Sequence, residues 1–226
     1  SSGYNISYQV NSNPVVTENT TLSIPPGGTV DYTFTTPANL SAINNYNIRV
    51  FVKQTGDFQI ANDEKIYTVK QADNQPVTLP FTENFEATLP AQYKEGIFAL
   101  ANADRFDFAT ANANGRMSTF INSGFAINGN RSVTLDATQF NFTKSNNSLT
   151  GTINLSSYNA TAGLRFDFLF KNHGQIKQPG AGVWMRGSDT QPWVQVYDLV
   201  ANQGTIGNIK QVSCNINEIG QPITSS

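Results

Sequence analysis

Apolar and polar residues alternate at period two along most of this chain, and helical periodicity is scarce. That pattern predicts half-buried β-strands. Ile6, Tyr8 and Val10 alternate before a turn over Asn11 to Pro14, and Val15 to Thr17 and Thr21 to Ile24 read as short strands. Pro25-Pro26-Gly27-Gly28 is a strong turn, since proline presets one dihedral and glycine supplies the positive one. Alternation resumes at Tyr32 and Phe34, and Tyr46, Ile48, Val50 and Val52 make the clearest strand of this half. After the breaks at Gly56-Asp57 and Asn62-Asp63, Ile66, Thr68 and Lys70 share one face of a last strand, with Tyr67 and Val69 on the other. About six or seven short strands in this length predict an immunoglobulin-like β-sandwich over residues 1–75.

The polar stretch Gln71 to Pro76 resets the pattern and marks a boundary at 75/76, too short for the halves to swing freely. Residues 76–226 open on Leu79-Pro80-Phe81-Thr82-Glu83-Asn84-Phe85-Glu86. Ala91 to Ala103 is expected to hold one helical turn. Strands follow over Arg131 to Leu135, Leu149 to Leu155, Leu164 to Phe170, Ala181 to Arg186, Val194 to Leu199 and Gly207 to Val212. Phe166, Phe168 and Phe170 alternate with Arg165, Asp167 and Leu169, so three rings fall on one face, each able to contribute roughly 2–3 kcal/mol by burial. Such strands, joined by long polar loops, predict a second sandwich of the jelly-roll (concanavalin-like) kind. The fold class is therefore all-β.

Composition narrows the setting. The 226 residues are 38% hydrophobic, enough for packed cores, but only 13% charged. Asn alone outnumbers Lys and Arg together, so the surface is wetted by neutral groups, as is common in secreted β-proteins. A formal charge of -2 without a basic cluster excludes nucleic acid and anionic membrane as expected partners. The single cysteine, Cys214, makes no internal disulfide, and no apolar run has the length of a membrane-spanning helix. The start Ser1-Ser2-Gly3 has no signal-peptide layout, so an exported chain would have lost its signal or carried it far upstream.

Together, Pro80 to Glu86, Asn130 to Leu135, Leu149 to Leu155, Leu164 to Phe168, Val183 to Asp189 and Pro192 to Tyr197 resemble, in order and spacing, the MAM-like (cleaved-adhesin-like) jelly-roll modules of large Bacteroidota surface proteins. The resemblance covers most of residues 79–199. Ile24 to Gly28, Tyr32 to Phe34, Asn45 to Ile48, Gly56-Asp57 and Asn62-Asp63 resemble the Ig-like modules that precede them. What the resemblance implies is a surface or secreted adhesion architecture, often exported by the type IX system. One departure stands out: these jelly rolls usually close on a late strand with paired acidic residues, whereas Asn215 to Ser226 carries only Glu218. The closing strand is then expected beyond this segment, or from another segment or chain.

Catalytic chemistry finds little footing. A serine triad needs converging nucleophile, base and acid, but the one histidine, His173, lies in a polar loop and no GxSxG elbow exists. Nothing near Cys214 would lower its pKa, and one His with one Cys is too few for zinc. Glu83 and Glu86, like Asp104 and Asp107, are three apart, which on a strand points them to opposite faces rather than together as a glycosidase requires.

Calcium fits the composition better, since hard cations take carboxylate, amide and carbonyl oxygens. Glu86, with Glu83 and Asn130 of the Asn128-Gly129-Asn130 loop, is the candidate site, and the resemblance points there too. Ordinary loop hydrogen bonding is the alternative. Trp184, Trp193 and Tyr197 are candidates for stacking on sugar, against packing as the ordinary explanation. Trp193, after a proline near a loop, is expected to be the accessible tryptophan, with Tyr197 beside it as the second ligand-binding residue.

The expectation is a non-catalytic adhesion or binding pair from a longer extracellular or cell-surface chain, stiffened by structural calcium. Its partners would be a surface polysaccharide or protein ligand, neighbouring domains and secretion machinery. The alternative is a carbohydrate-binding or spacer module of a secreted protease or glycosidase.

Overall fold

The structure is a computed structural model and describes residues 4–88, 91–93, 96–100, 103–110, 117–123, 126–137, 146–159, 161–172, 180–202 and 207–219. Regular structure in these residues is all β, apart from short 3-10 turns at Ile60–Asn62 and Ile216–Ile219. The chain divides into two compact units, Ser1–Ala72 and Asp73–Ser226.

In the first unit, β1 (Tyr4–Val10), β2 (Val16–Thr20), β3 (Asn44–Lys53) and β4 (Glu64–Gln71) form one antiparallel sheet in the order β2-β1-β3-β4. Tyr8 faces Val16 on one side and Val50 on the other, and Val10 faces Ile48. Alternation thereby gathers Tyr8, Val10 and Tyr46 on one buried face, with Val16, Ile48 and Val50 packed around them. The layer over this face is not a second sheet. It is the strandless segment 21–43, which sends Phe34 and Leu40 into the cluster.

Here the strand count differs from the sequence expectation: four strands form, not six or seven, and Thr21 to Ile24 and Tyr32 to Phe34 are irregular. Glu18 supplies the reason. Its carboxylate accepts the Tyr32 hydroxyl at 2.6 Å, the Thr35 N–H at 3.0 Å and the Thr36 N–H at 2.9 Å. Side-chain capture of backbone donors competes with ladder formation, so the loop is pinned to β2 rather than paired as a strand. Tyr8 adds a second pin by donating to the Thr36 carbonyl at 3.0 Å.

The second unit contains β5 (Ala91–Tyr93), β6 (Gly96–Leu100), β7 (Ala103–Thr110), β8 (Met117–Ser123), β9 (Arg131–Ala137), β10 (Asn147–Gly151), β11 (Arg165–Lys171), β12 (Gly182–Met185), β13 (Val194–Asp198) and β14 (Ile209–Asn215). They pair antiparallel as β10-β7-β6, β5-β8-β9, β11-β14 and β12-β13. The helical turn expected within Ala91 to Ala103 is replaced by β5 and β6. Register decides this, because β6 pairs along β7 with Phe98 opposite Phe106. Strands β7 and β8 carry the fully buried Phe108 and Ile121. Strand β10 ends at Gly151 rather than Leu155.

The polar stretch expected as a linker belongs to the second unit from Asp73 onward. Asp73 donates its N–H to the Asp104 carbonyl at 2.7 Å, Asn154 Nδ2 donates to the Asn74 carbonyl at 2.7 Å, and Val77 N–H donates to the Asn154 carbonyl at 3.0 Å. The Asp73 carboxylate also lies 2.9 Å from Arg105, whose side chain is 6% exposed. These bonds set the division at 72/73 instead of 75/76.

Candidate functional site

The β12–β13 hairpin is fixed at both ends before it presents anything. At the turn, Gln191 N–H donates to the Ser188 carbonyl at 3.2 Å and the Gln191 side chain accepts the Gly187 N–H at 2.9 Å. Arg186 donates to the Asp189 carbonyl at 3.2 Å and pairs with its carboxylate. At the far end Asp198 caps the chain by accepting the Val200 and Ala201 N–H groups, each at 2.8 Å.

Between these ends the register shifts between Val183 and Trp184: Val183 faces Tyr197, while Trp184 faces Gln195. Directly opposed residues share a face and successive residues alternate. The bulge therefore puts Tyr197 and Gln195, two apart in sequence, on opposite faces of the hairpin.

Tyr197 goes to the packed face. Its ring meets Phe168 and Phe170 edge-on, with centroids at 5.8 and 5.9 Å. The phenylalanine ladder on β11 continues as Phe166 stacked on Phe168 at 5.3 Å. Phe168 and Phe170 are half-buried, while Phe166 stays 39% exposed, so the ladder is buried only where Tyr197 covers it. The expected ligand pair Trp193–Tyr197 is thus split: Tyr197 is a packing residue.

The open face holds the two tryptophans, each 46% exposed. Trp184 stands beside Gln195, and the Arg186 guanidinium lies 4.6 Å from the centre of the Trp193 ring, fixing that ring by a cation–π contact. Gly182 leaves the space between the polar tips open. A Cβ there would stand 2.6 Å from Gln195 Nε2 and 3.2 Å from Trp184 Nε1. Two N–H donors therefore come together over a glycine, next to two half-exposed rings. Of the three aromatic candidates, Trp184 and Trp193 share this open face, and the bulge turns Tyr197 away from it.

The second candidate is the Glu83–Glu86 loop. Glu86 Oε1 accepts the N–H groups of Asn130 at 2.6 Å and Arg131 at 2.7 Å, and the Arg131 guanidinium donates back to the Glu86 carbonyl at 2.8 Å and to the Thr88 carbonyl. The Arg131 and Asn130 N–H groups hold the Glu86 carboxyl below its usual range. Gly129, at φ +84°, makes room for this, since a Cβ would lie 2.5 Å from Glu86 Oε1. Glu83 accepts the Phe85 N–H through Oε1, its Oε2 is buried with no partner among the described residues, and burial pushes its carboxyl up.

The donor set does not fit the calcium cage expected at Glu83, Glu86 and Asn130. N–H groups face Glu86 Oε1, and the Asn130 side chain adds a hydrogen bond to the same carboxylate instead of offering an oxygen to a cation. Among the described residues no group of three or more His, Cys, Asp or Glu side chains comes together. The arrangement is a hydrogen-bonded latch tying the unit's entry loop to the start of β9.

Of the remaining candidates, Cys214 sits half-buried on β14 opposite Phe166, and His173 lies outside the described residues. Among the described residues no helix is long and apolar enough to cross a membrane. No protein-family model, curated protein or solved structure matches the chain. What fold and site define is an all-β protein with an open aromatic strand face.

Proposed function

We propose that the chain is a non-catalytic binding segment of a larger secreted or cell-surface protein, and that the Trp184–Trp193 face of its second unit takes a glycan. The single observation that carries this is the meeting of two half-exposed indoles with the Gln195 and Trp184 N–H donors over Gly182. Indole faces favour the C–H faces of pyranose rings, and edge donors match the hydroxyls around them. Both rings are 46% exposed, which suits a polymer laid across them better than a small molecule enclosed in a cavity.

The non-catalytic reading is supported by the fate of the carboxylates. Glu86 is taken up by the latch, its Oε1 accepting the Asn130 and Arg131 N–H groups. An Ig-like module before a jelly roll, a surface setting and type IX export are proposals that rest on the resemblances over residues 24–63 and 79–199. Native affinity electrophoresis in gels containing soluble β-glucan, xylan or galactomannan tests the glycan reading. Retardation in at least one gel, lost when Trp193 is replaced by alanine, is the expected result. Equal mobility in all three, with the same chain captured by a protein ligand, would overturn it.

A further inference from the structure

Polar groups of the β12–β13 hairpin converge on Gly182. A Cβ at this position would stand 2.6 Å from Gln195 Nε2, 3.0 Å from the Tyr197 carbonyl oxygen and 3.2 Å from Trp184 Nε1. The two nitrogens can be no further apart than the sum of their distances to that point, which is about twice one hydrogen-bond length. A single oxygen set between them can therefore accept both N–H groups. Neither donor has a partner among the described residues. The Tyr197 carbonyl adds an acceptor at the same spot, since a carbonyl oxygen carries two lone pairs and pairing with Val183 across the hairpin uses one.

Charge and shape decide which group fills this cradle. Asp198 stands directly across from Gly182, its carboxylate accepting the Val200 and Ala201 N–H groups. A carboxylate brought onto Gly182 would meet that like charge. An ammonium would meet two donors where it needs acceptors. A hydroxyl serves the polar groups alone, whereas an acetamido group serves them and also brings a methyl to the neighbouring indole.

We infer that the glycan on the Trp184–Trp193 face carries acetamido groups, one of which seats over Gly182. Its carbonyl oxygen accepts from Gln195 Nε2 and Trp184 Nε1, and its N–H donates to the Tyr197 carbonyl. Its methyl lies against the Trp184 ring, whose 46% exposure leaves apolar surface to cover. This rests on the glycan reading and narrows it: the indoles hold the pyranose rings, and the cradle selects among chains by the substituent they carry. Gly182 is the specificity-determining position, because any side chain there fills the cradle.

Isothermal titration of the 226-residue chain with two β-1,4-linked hexasaccharides, one of N-acetylglucosamine and one of glucose, reads the selection. The two ligands differ only in the group on C2. The N-acetylglucosamine hexamer is expected to bind roughly tenfold more tightly, the effect of added neutral hydrogen bonds. Gln195→Met, at an exposed position, removes an N–H and keeps the bulk; it should shrink the ratio and leave the glucose hexamer's affinity unchanged. Gly182→Ala closes the cradle and should abolish the ratio, with circular dichroism confirming the fold. Equal affinity for both hexamers, or binding of neither with retardation kept in a polysaccharide gel, would overturn the acetamido inference and leave the glycan reading standing. Binding of neither, with equal mobility in every gel, would end both. A preference that survives Gln195→Met and Gly182→Ala would take the cradle out of the recognition. A capped, uncharged hexapeptide bound as tightly as the N-acetylglucosamine hexamer would assign the amide contact to a peptide and overturn the inference as well.

Discussion

Trp184 stands directly across the β12–β13 pair from Gln195, while its neighbour Val183 stands across from Tyr197. One extra residue in β13 thus sorts four side chains into a wet face and a packed one, and the proposed glycan site lies on the wet one. Replacing Trp184 or Trp193 with alanine is expected to weaken glycan retention roughly tenfold each, about 1.4 kcal/mol. Isothermal titration against the retarding polysaccharide measures it, and the melting temperature of either variant should move little because both rings are half-exposed.

Tyr197 should behave in the opposite way. Tyr197→Ala removes the ring that covers Phe168 and Phe170, at an expected cost of about 2 kcal/mol for a half-buried aromatic. Urea unfolding should show the loss, while the folded fraction retains its glycan affinity. Lost affinity with unchanged stability would place Tyr197 in the site after all.

Glu18 links the first unit to acid. Hydrogen bonds from Tyr32, then from Thr35 and Thr36, lower its carboxyl from the ordinary 4.5 to about 2. A carboxyl depressed by folding stabilises the native state above its unfolded value, and that contribution disappears as pH falls through the folded value. Melts recorded from pH 5 downward should therefore show the first unit losing stability between about 4.5 and 2. Glu18→Gln, which has no such titration, should be less stable at neutral pH and flatter across this window.

The latch at Glu86 predicts indifference to metal. Because N–H groups occupy the carboxylate oxygen, a calcium chelator should leave the melting temperature where it was. Gly129→Ala, by contrast, forces a side chain onto a positive φ and against Glu86 Oε1, for an expected loss of about 1–3 kcal/mol. A chelator-dependent drop in melting temperature would show that an ion completes this loop.

Asp73 and Arg105 form the most buried ion pair among the described residues. The Arg105 guanidinium reaches both the Asp73 carboxylate and the Asp73 carbonyl. Asp73→Ala leaves a buried cation uncompensated, which costs about 3–5 kcal/mol. Chemical denaturation of the second unit measures this.

Period two was enough to read much of this fold. Tyr8, Val10, Tyr46 and Ile48 announce a buried face by alternation alone, and β9 and β11 to β14 were placed to within a few residues. Failures came where a local pattern met a distant partner. Tyr32 and Phe34 alternate like a strand, but Glu18 captures the next backbone donors. Gly96 to Leu100 shows no clear alternation and becomes a strand because β7 offers a ladder beside it. In the site, period two alone would set Trp193, Gln195 and Tyr197 on one face, and the register shift in β13 turns Tyr197 to the other.

By itself, the sequence determined that this chain is all-β, sparsely charged and built in two units, because side-chain alternation and turn residues act over a few positions. Tertiary structure alone decided which aromatic rings face water and which carboxylates are already satisfied. Those outcomes depend on register between segments far apart in the chain, and a shift of one residue in register turns a side chain from one face of a strand to the other.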